Sequence, residues 1–311
     1  MPTPFPVGPA NAFLLVTDPP ILIDTGPQSD EAYDILVGEL DQHGVQLRDI
    51  GHILITHGHL DHIGLLARIL AEAGAEAYAH PYAVAQWEAY DNDATETARF
   101  YCQVLAEFGI PKETVERITL GREAFRSFGA AVTIQHPLDD GECVGPLRTV
   151  YVPGHSPSDV VYFDECRKIA FSGDHLLKSI NPNPLLRRPL PGQPRAKSLL
   201  EYQASIRRTR TLDIETCYPG HGKPFGDPNA IIDRILARHE QRNRQILDML
   251  SDELITPYEL ACQLFPGLDI RMLHLGLSVA VGHLEALEER GQVAPVWRDG
   301  LCYYHLTPTE K

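Results

Sequence analysis

Short apolar runs alternate with longer segments of helical periodicity along the chain before residue 229. Continuous or alternating apolar runs predict short strands at 13–16, 21–23, 53–55, 77–79, 132–134, 148–152, 160–163, 169–171 and 215–218. Apolar positions three and four apart predict helices at 30–40, 62–73 and 197–210, with a mostly helical region at 82–120. This alternation favours a mixed α/β (α+β) fold in which helices cover layered sheets.

From about residue 229 the pattern changes to long helical periodicity. It predicts helices at 231–250, 257–264 and 271–289, followed by strands at 293–298 and 301–306. Thr256 and Glu259 have the spacing of a capping box, and Pro257 occupies the first helical position between them. Asp299-Gly300 is typical of a two-residue hairpin turn. Three helices and a hairpin predict a winged helix.

The length and the charge of the chain limit its organisation and partners. A chain of 311 residues exceeds what one core usually organises, so we expect two domains, at 1–228 and 229–311. The net charge of -15 disfavours long-range attraction to nucleic acid or to an acidic membrane. Residues 229–311 also carry more acidic than basic side chains, which argues against a DNA-binding face. We expect the winged helix to pack, to support a homodimer or to shape a substrate pocket.

Cysteine usage and the N-terminal sequence predict a cytoplasmic protein. The six cysteines are scattered without a Cys-x-x-Cys pair, which fits reduced thiols better than a disulfide framework. The chain starts without a basic region ahead of an apolar run, and no apolar segment is long enough to span a bilayer. We therefore expect no membrane partner.

The densest group of ligand-type side chains is Thr56-His57-Gly58-His59-Leu60-Asp61-His62, between a predicted strand and a predicted helix. Imidazole nitrogens suit zinc and related metals, and a carboxylate adds negative charge beside them. Gly58 allows the sharp turn that this position requires. His57 and His59 can then converge from one side, while Asp61 and His62 point elsewhere as the helix begins. One stretch can therefore supply ligands to two adjacent metal ions, which we favour over a solvated histidine-rich turn.

Three later strands run into a glycine followed by another ligand-type residue. These segments are Pro153-Gly154-His155, Ser172-Gly173-Asp174 and Pro219-Gly220-His221. A glycine before each side chain is expected where the backbone bends tightly to aim that side chain into a shared site. The sequence therefore predicts that His155, Asp174 and His221 join the histidine-rich turn.

Together these motifs resemble the metallo-β-lactamase superfamily over roughly residues 8–225. The resemblance implies an αββα sandwich with two divalent metal ions at one edge, where we expect zinc and keep iron and manganese as alternatives. It implies that His57, His59 and His155 bind the first metal and that Asp61, His62 and His221 bind the second, with Asp174 bridging. Asp24 would be a supporting carboxylate that orients the site. Asp61 is also the candidate catalytic group that takes or orients a proton of the hydroxide.

The resemblance implies a metal-dependent hydrolase. True β-lactamases carry a cysteine at the bridging position, whereas this chain has Asp174, which favours the glyoxalase II-like and RNA-processing branches. The expected activity is hydrolysis of a small ester or thioester by a hydroxide that bridges two metals.

Two alternative activities stay open. One is cleavage of single-stranded RNA, because the winged-helix tail also resembles a β-lactamase-like endoribonuclease subgroup. Its phosphate track would be the basic residues between Arg187 and Arg210. The other is an iron-dependent persulfide dioxygenase, which would need only His57, His155 and Asp174 on one metal.

Overall fold

The computed structural model describes residues 1–123, 128–189, 192–250 and 253–308. The strands are β1 (Phe13–Leu15), β2 (Ile21–Ile23), β3 (His52–Leu54), β4 (Glu76–Ala79), β5 (His136–Pro137), β6 (Cys143–Val144), β7 (Leu147–Tyr151), β8 (Val160–Asp164), β9 (Ile169–Gly173), β10 (Thr216–Pro219), β11 (Phe225–Gly226), β12 (Val293–Arg298) and β13 (Leu301–Leu306). The helices are α1 (Asp30–Gln42), α2 (Leu60–Ile63), α3 (Leu66–Ala73), α4 (Pro81–Glu88), α5 (Tyr90–Glu107), α6 (Lys112–Glu123), α7 (Ser198–Thr209), α8 (Pro228–Met249), α9 (Pro257–Leu264) and α10 (Leu273–Glu289). None of the described helices combines the length and the apolar character that crossing a membrane would require.

Two sheets carry the strands of the first three quarters of the chain. The first has the order β1-β2-β3-β4-β5 and the second the order β11-β10-β9-β8-β7-β6. In the first sheet β2, β3, β4 and β5 run parallel, so the chain leaves β2 and β3 at the same edge. In the second sheet β9 and β10 are the parallel pair. The residues that follow β2, β3, β9 and β10 include Asp24, the histidine-rich turn, Asp174 and His221.

An apolar core lies between the two sheets. Ile23 and Leu54 of the first sheet are buried in one cluster with Val160, Tyr162 and Phe171 of the second. The continuous apolar runs of β2 and β3 are expected for parallel strands covered on both faces. The other face of the first sheet packs in a separate cluster with side chains of α1, α3 and α4. The predicted mixed α/β fold is confirmed.

The chain divides into two compact units. The first contains Met1–Asp93, Arg126–Pro182 and Ser205–Ile232, and the second contains Ala94–Phe125, Asn183–Ala204 and Asp233–Lys311. The chain enters the second unit for the last time at Asp233, close to the predicted boundary at 228/229. The two earlier segments of the second unit were assigned to the first domain by the sequence analysis. Val104 and Leu105 of α5 are buried in one cluster with Leu277 of α10, which explains why this stretch groups with the C-terminal helices.

The predicted elements of the C-terminal segment are present in the second unit. The Thr256 hydroxyl accepts a hydrogen bond from Glu259 N at 3.1 Å, and the Glu259 carboxylate accepts one from Thr256 N at 2.8 Å. This capping box starts α9 as predicted. Strands β12 and β13 pair in antiparallel register up to Arg298 and Leu301, which closes the two-residue turn at Asp299-Gly300. The winged-helix assignment itself stays a prediction.

Two predicted elements were wrong. Residues 132–134 form no strand. Val132 N donates a hydrogen bond to the Trp87 carbonyl, and Ile134 packs in the core. The strand that pairs with β4 is β5 instead. The helix predicted at 62–73 is divided into α2 and α3. Leu65 N donates to the carbonyl of Gly26 at 3.1 Å, so a segment distant in the sequence takes the place of an intrahelical acceptor.

Candidate metal centre

The turn after β3 is held at the peptide groups of Gly58. Gly58 N donates to the hydroxyl of Ser158 at 3.0 Å, and the indole of Trp87 donates to the carbonyl of Gly58 at 3.1 Å. Ser158 and Trp87 are both fully buried. Because both polar backbone atoms of Gly58 are engaged by rigid neighbours, the flanking side chains of His57 and His59 leave the backbone in fixed directions.

Three imidazoles converge at this turn. His57 Nε2 lies 3.1 Å from His59 Nδ1, which lies 3.0 Å from His155 Nε2. Burial lowers the pKa of His57 well below its usual value and that of His59 to about 3, so both rings are neutral. One proton on His59 Nδ1 cannot serve both neighbouring nitrogens. The arrangement therefore presents lone pairs to a common point, as a cation requires.

A second group forms where α2 meets the end of β10. His221 Nε2 lies 3.4 Å from His62 Nε2 and 3.4 Å from Asp61 Oδ2. The carbonyl of His62 accepts hydrogen bonds from Thr25 N and from the Thr25 hydroxyl, which fix the first turn of α2 against the segment after β2. All three side chains of this second group are buried.

Asp174 is shared by the two groups. Its Oδ1 lies 3.5 Å from His62 Nε2 and 3.4 Å from His221 Nε2, whereas its Oδ2 lies 3.6 Å from His155 Nε2. Burial raises the pKa of this carboxyl, but the charge of His62 and the close contacts with the imidazoles of His221 and His62 outweigh burial and hold it well below its usual value. Oδ1 is buried without a hydrogen-bond partner among the described residues. A buried carboxylate of this kind is expected where a cation completes the site.

The spacing of the donor atoms fits the coordination of a metal ion. Ligand atoms 2.0–2.1 Å from a tetrahedral zinc ion lie about 3.3 Å from one another. Two donor pairs in each group lie 3.0–3.4 Å apart, and the Asp174 oxygens lie within 3.6 Å of nitrogens in both groups. The structure therefore brings together every predicted ligand, namely His57, His59, Asp61, His62, His155, Asp174 and His221.

Asp24 and Pro9 orient two of the imidazoles. Asp24 Oδ2 lies 2.8 Å from His62 Nδ1, and the same carboxylate accepts hydrogen bonds from the backbone and the hydroxyl of Thr56, each at 2.8 Å. The carbonyl oxygen of Pro9 lies 2.9 Å from His221 Nδ1. Both contacts leave Nε2 of the ring directed at the donor groups, which is how ligating histidines are usually supported.

The carboxylates also act on the protonation of these two rings. Burial lowers the pKa of His62, but Asp174, Asp24 and Asp61 outweigh it and raise the pKa well above its usual value. Burial also lowers the pKa of His221, but the close contacts of its ring with Asp174 and Asp61 outweigh burial and raise the pKa to about 9. The second group thus has a strong affinity for positive charge, which a divalent cation can satisfy in place of protons.

The sequence analysis missed four groups that hold the ligands. Thr56, Ser158, Trp87 and the carbonyl of Pro9 were not identified, although Thr56 directly precedes His57. The Pro9 carbonyl is 212 positions from His221, and its role depends on backbone geometry that no side-chain motif reports. His175, next to Asp174, lies outside the donor groups and contacts the Thr209 hydroxyl at 2.8 Å.

Comparison with known proteins identifies the family. Residues 5–221 match the family described as the metallo-beta-lactamase superfamily. The chain is 32% identical over 309 residues to the probable metallo-hydrolase YqjP of Bacillus subtilis, an alignment that covers 98% of this chain and 95% of that protein. The chain therefore belongs to the metallo-beta-lactamase superfamily and is a hydrolase of that superfamily.

Solved structures and a further relative agree with this assignment. A metallo-beta-lactamase family protein from Thermus thermophilus is 28% identical, with a TM-score of 0.80 over 98% of this chain and 96% of that chain. A beta-lactamase domain protein from Burkholderia ambifaria shares the fold at 22% identity, with a TM-score of 0.83 over 99% of this chain and 91% of that chain. A thioesterase of Emericella nidulans, pkgB, is 25% identical over 232 residues, which are 74% of this chain and 51% of that protein.

Proposed function

We propose that this protein binds two divalent metal ions and hydrolyses a small ester or thioester. The observation that carries the proposal is the position of Asp174, whose two oxygens face different imidazole groups at 3.4–3.6 Å. One carboxylate between two donor groups lowers the Coulomb repulsion of two nearby cations. When bound, such ions lower the pKa of a coordinated water and polarise a carbonyl oxygen. The donor set suits zinc, and also iron and manganese.

Asp61 is the group that we propose to hold the attacking water. Burial raises the pKa of Asp61, but the charge of His62 and the hydrogen bond with His221 outweigh burial and lower it. Asp61 is therefore a carboxylate near neutral pH, able to accept a hydrogen bond from a water molecule and to orient it. His62 and His221 keep their positions beside Asp61 through Asp24 and Pro9.

A thioester is the favoured substrate class for two reasons. First, this chain has Asp174 at the bridging position, where the resemblance implies a cysteine in true β-lactamases. Second, two of its relatives are named thioesterases. The fungal thioesterases are only 23–25% identical to this chain. These relatives support thioester hydrolysis as the class of reaction. The identity of the acyl group has to be inferred from the residues that line this chain's own pocket.

Cleavage of RNA is less well supported. The basic residues between Arg187 and Arg210 were its predicted phosphate track, yet Arg187 pairs with Glu201 and Arg195 with Glu285. Lys197 contacts Glu289 at 3.1 Å, and Arg208 contacts Asp140 at 2.7 Å. Carboxylates thus offset the charge of at least four of the seven basic side chains of this track, which reduces its attraction for phosphates. A steep fall of affinity with added salt would instead support RNA as the substrate.

Metal analysis combined with a thioesterase assay tests the proposal. We expect about two zinc ions per chain and hydrolysis of S-acetyl-N-acetylcysteamine that is lost on chelation and restored by zinc. The Asp61→Asn variant should lose at least about a hundredfold in kcat, while Asp30→Asn, the same change at an exposed position, should not. One iron ion per chain together with oxygen consumption on a persulfide would support the dioxygenase instead.

A further inference from the structure

A cavity of about 430 Å³ lies beside the second donor group. It is lined by Val7 and Pro9 of the N-terminal segment, by residues 177–180 after β9, and by residues 221–223 after β10. Its volume falls within the range of pockets that hold small molecules. The cavity is therefore large enough for a substrate with several non-hydrogen atoms.

The cavity adjoins the donor atoms through His221. His221 is one of the residues that line the cavity, and its Nε2 lies 3.4 Å from both Asp61 Oδ2 and Asp174 Oδ1. The carbonyl of Pro9, another lining residue, lies 2.9 Å from His221 Nδ1. A molecule that occupies this cavity thus lies next to the place where the proposed reaction occurs.

The wall of the cavity combines apolar surface with positive charge. Val7, Leu177 and Ile180 supply apolar contacts, while the exposed side chains of Lys178 and Lys223 supply the charge. None of the lining residues that the structure describes is acidic, although the whole chain has a net charge of -15. A locally positive, concave surface in an acidic protein attracts an anionic ligand.

We propose that this cavity recognises a substrate whose ester or thioester is attached, through a short apolar segment, to a carboxylate or phosphate group. The inference rests on the proposed function, because it names the substrate class of that same site. The anion has two potential sources: a carboxylate on the acyl group, or the phosphates of a carrier on the thiol side. Lys223 and Lys178 would discriminate charged substrates from neutral substrates of equal reactivity.

Three thioester substrates distinguish between the two possible positions of the anionic group. They are neutral S-acetyl-N-acetylcysteamine, S-succinyl-N-acetylcysteamine with an acyl carboxylate, and acetyl-coenzyme A with phosphates on the thiol side. We expect kcat/KM for one of the charged substrates to exceed that of the neutral substrate by about tenfold or more. Lys223→Met and Lys178→Met should each reduce this preference, expressed as the ratio of kcat/KM for the charged substrate to kcat/KM for the neutral substrate, by about fivefold. Lys168→Met, which removes a half-buried lysine of the same unit outside the cavity, is the control.

Equilibrium binding distinguishes a failure of this inference from a failure of the proposed function. The non-hydrolysable thioethers S-ethyl-N-acetylcysteamine, S-(3-carboxypropyl)-N-acetylcysteamine and S-ethyl-coenzyme A are titrated calorimetrically into the same proteins. Tighter binding of a charged thioether that is lost in the lysine variants supports the cavity's role, even if no thioester is hydrolysed. Equal binding of charged and neutral compounds, or a preference that both lysine variants keep, would overturn the inference and leave thioester hydrolysis standing.

Discussion

Asp24 and His62 form a buried contact in which Asp24 Oδ2 lies 2.8 Å from His62 Nδ1. The two residues are on the segments that follow β2 and β3, and each is at most 2% exposed. The contact directs His62 Nε2 towards His221 and Asp174. The carboxylate thus determines both the orientation and the tautomer of a proposed ligand.

The Asp24→Asn variant should weaken metal binding. The asparagine keeps an oxygen for Thr56 N, but its amide group would face the hydroxyl of Thr56 and His62 Nδ1 as another donor. We expect a loss of about 10- to 100-fold in metal affinity, measured by competition with a chromophoric chelator. Asp30→Asn is the matched control, and equal affinities of the two variants would contradict the role of Asp24.

Gly220→Ala should displace the second donor group. A Cβ atom at this position would lie 2.5 Å from Asp174 Oδ1 and 2.6 Å from His62 Cε1, so both ligands would have to move. We expect the variant to retain its far-ultraviolet circular dichroism and to lose about one metal ion per chain. In the control Gly226→Ala, the closest contact of the new Cβ is 3.5 Å, and the metal content should not change. Full metal content in Gly220→Ala would refute this geometry.

Ser158→Ala should destabilise the histidine-rich turn. The substitution leaves the buried N–H of Gly58 without its acceptor at 3.0 Å. We expect the free energy of unfolding to fall by about 1–3 kcal/mol in urea titrations of metal-depleted protein. Ser179→Ala removes the same atom from an exposed position and should cost less than about 0.5 kcal/mol. Similar losses of stability in both variants would contradict the proposed role of the Ser158 hydroxyl in holding Gly58.

The second unit should lose stability as the pH falls. His283 is buried with its Nδ1 2.6 Å from Asn243 Oδ1, and burial lowers its pKa to about 3. The unfolded chain takes up a proton at this histidine below about pH 6.5 and the folded chain does not, so stability decreases by up to about 1.4 kcal/mol per pH unit between those values.

The His283→Gln variant should lack this part of the pH dependence. Free energies of unfolding between pH 6 and 5 give the slope for wild type, His283→Gln and the exposed-site control His43→Gln. We expect a smaller slope only in His283→Gln. An unchanged slope there would show that His283 is not kept neutral in the folded protein.

The ligands were predictable because their spacing is local and chemically distinctive. His57, His59, Asp61 and His62 share one turn, and a glycine before His155, Asp174 and His221 marked three more strand ends. Parallel strands that leave a sheet at one edge then bring these ends together. The structure places the donor atoms of all seven side chains in three overlapping groups, each of which shares a histidine with the next.

The remaining features depend on contacts between distant segments. Leu65 N bonds to Gly26 O and thereby divides a segment whose periodicity predicts one helix. Ile134 packs in the core, and a short apolar run that is buried for this reason has the same sequence pattern as a strand. The apolar face of α5 predicts burial but does not identify its partners, which are residues of the second unit such as Leu277 and Leu284. Sequence periodicity reports which face is buried, and not which segment covers it.

The metal-to-chain ratio in single-ligand variants tests most directly whether two cation sites adjoin. Metal content is measured by inductively coupled plasma mass spectrometry on wild type, His59→Ala and His221→Ala, with His43→Ala as the exposed control. We predict about two ions per chain for wild type and the control, and about one for each ligand variant, because each loses a donor from a different group. A ratio of two that persists in both ligand variants, or a wild type that binds no metal, would contradict the two-metal centre.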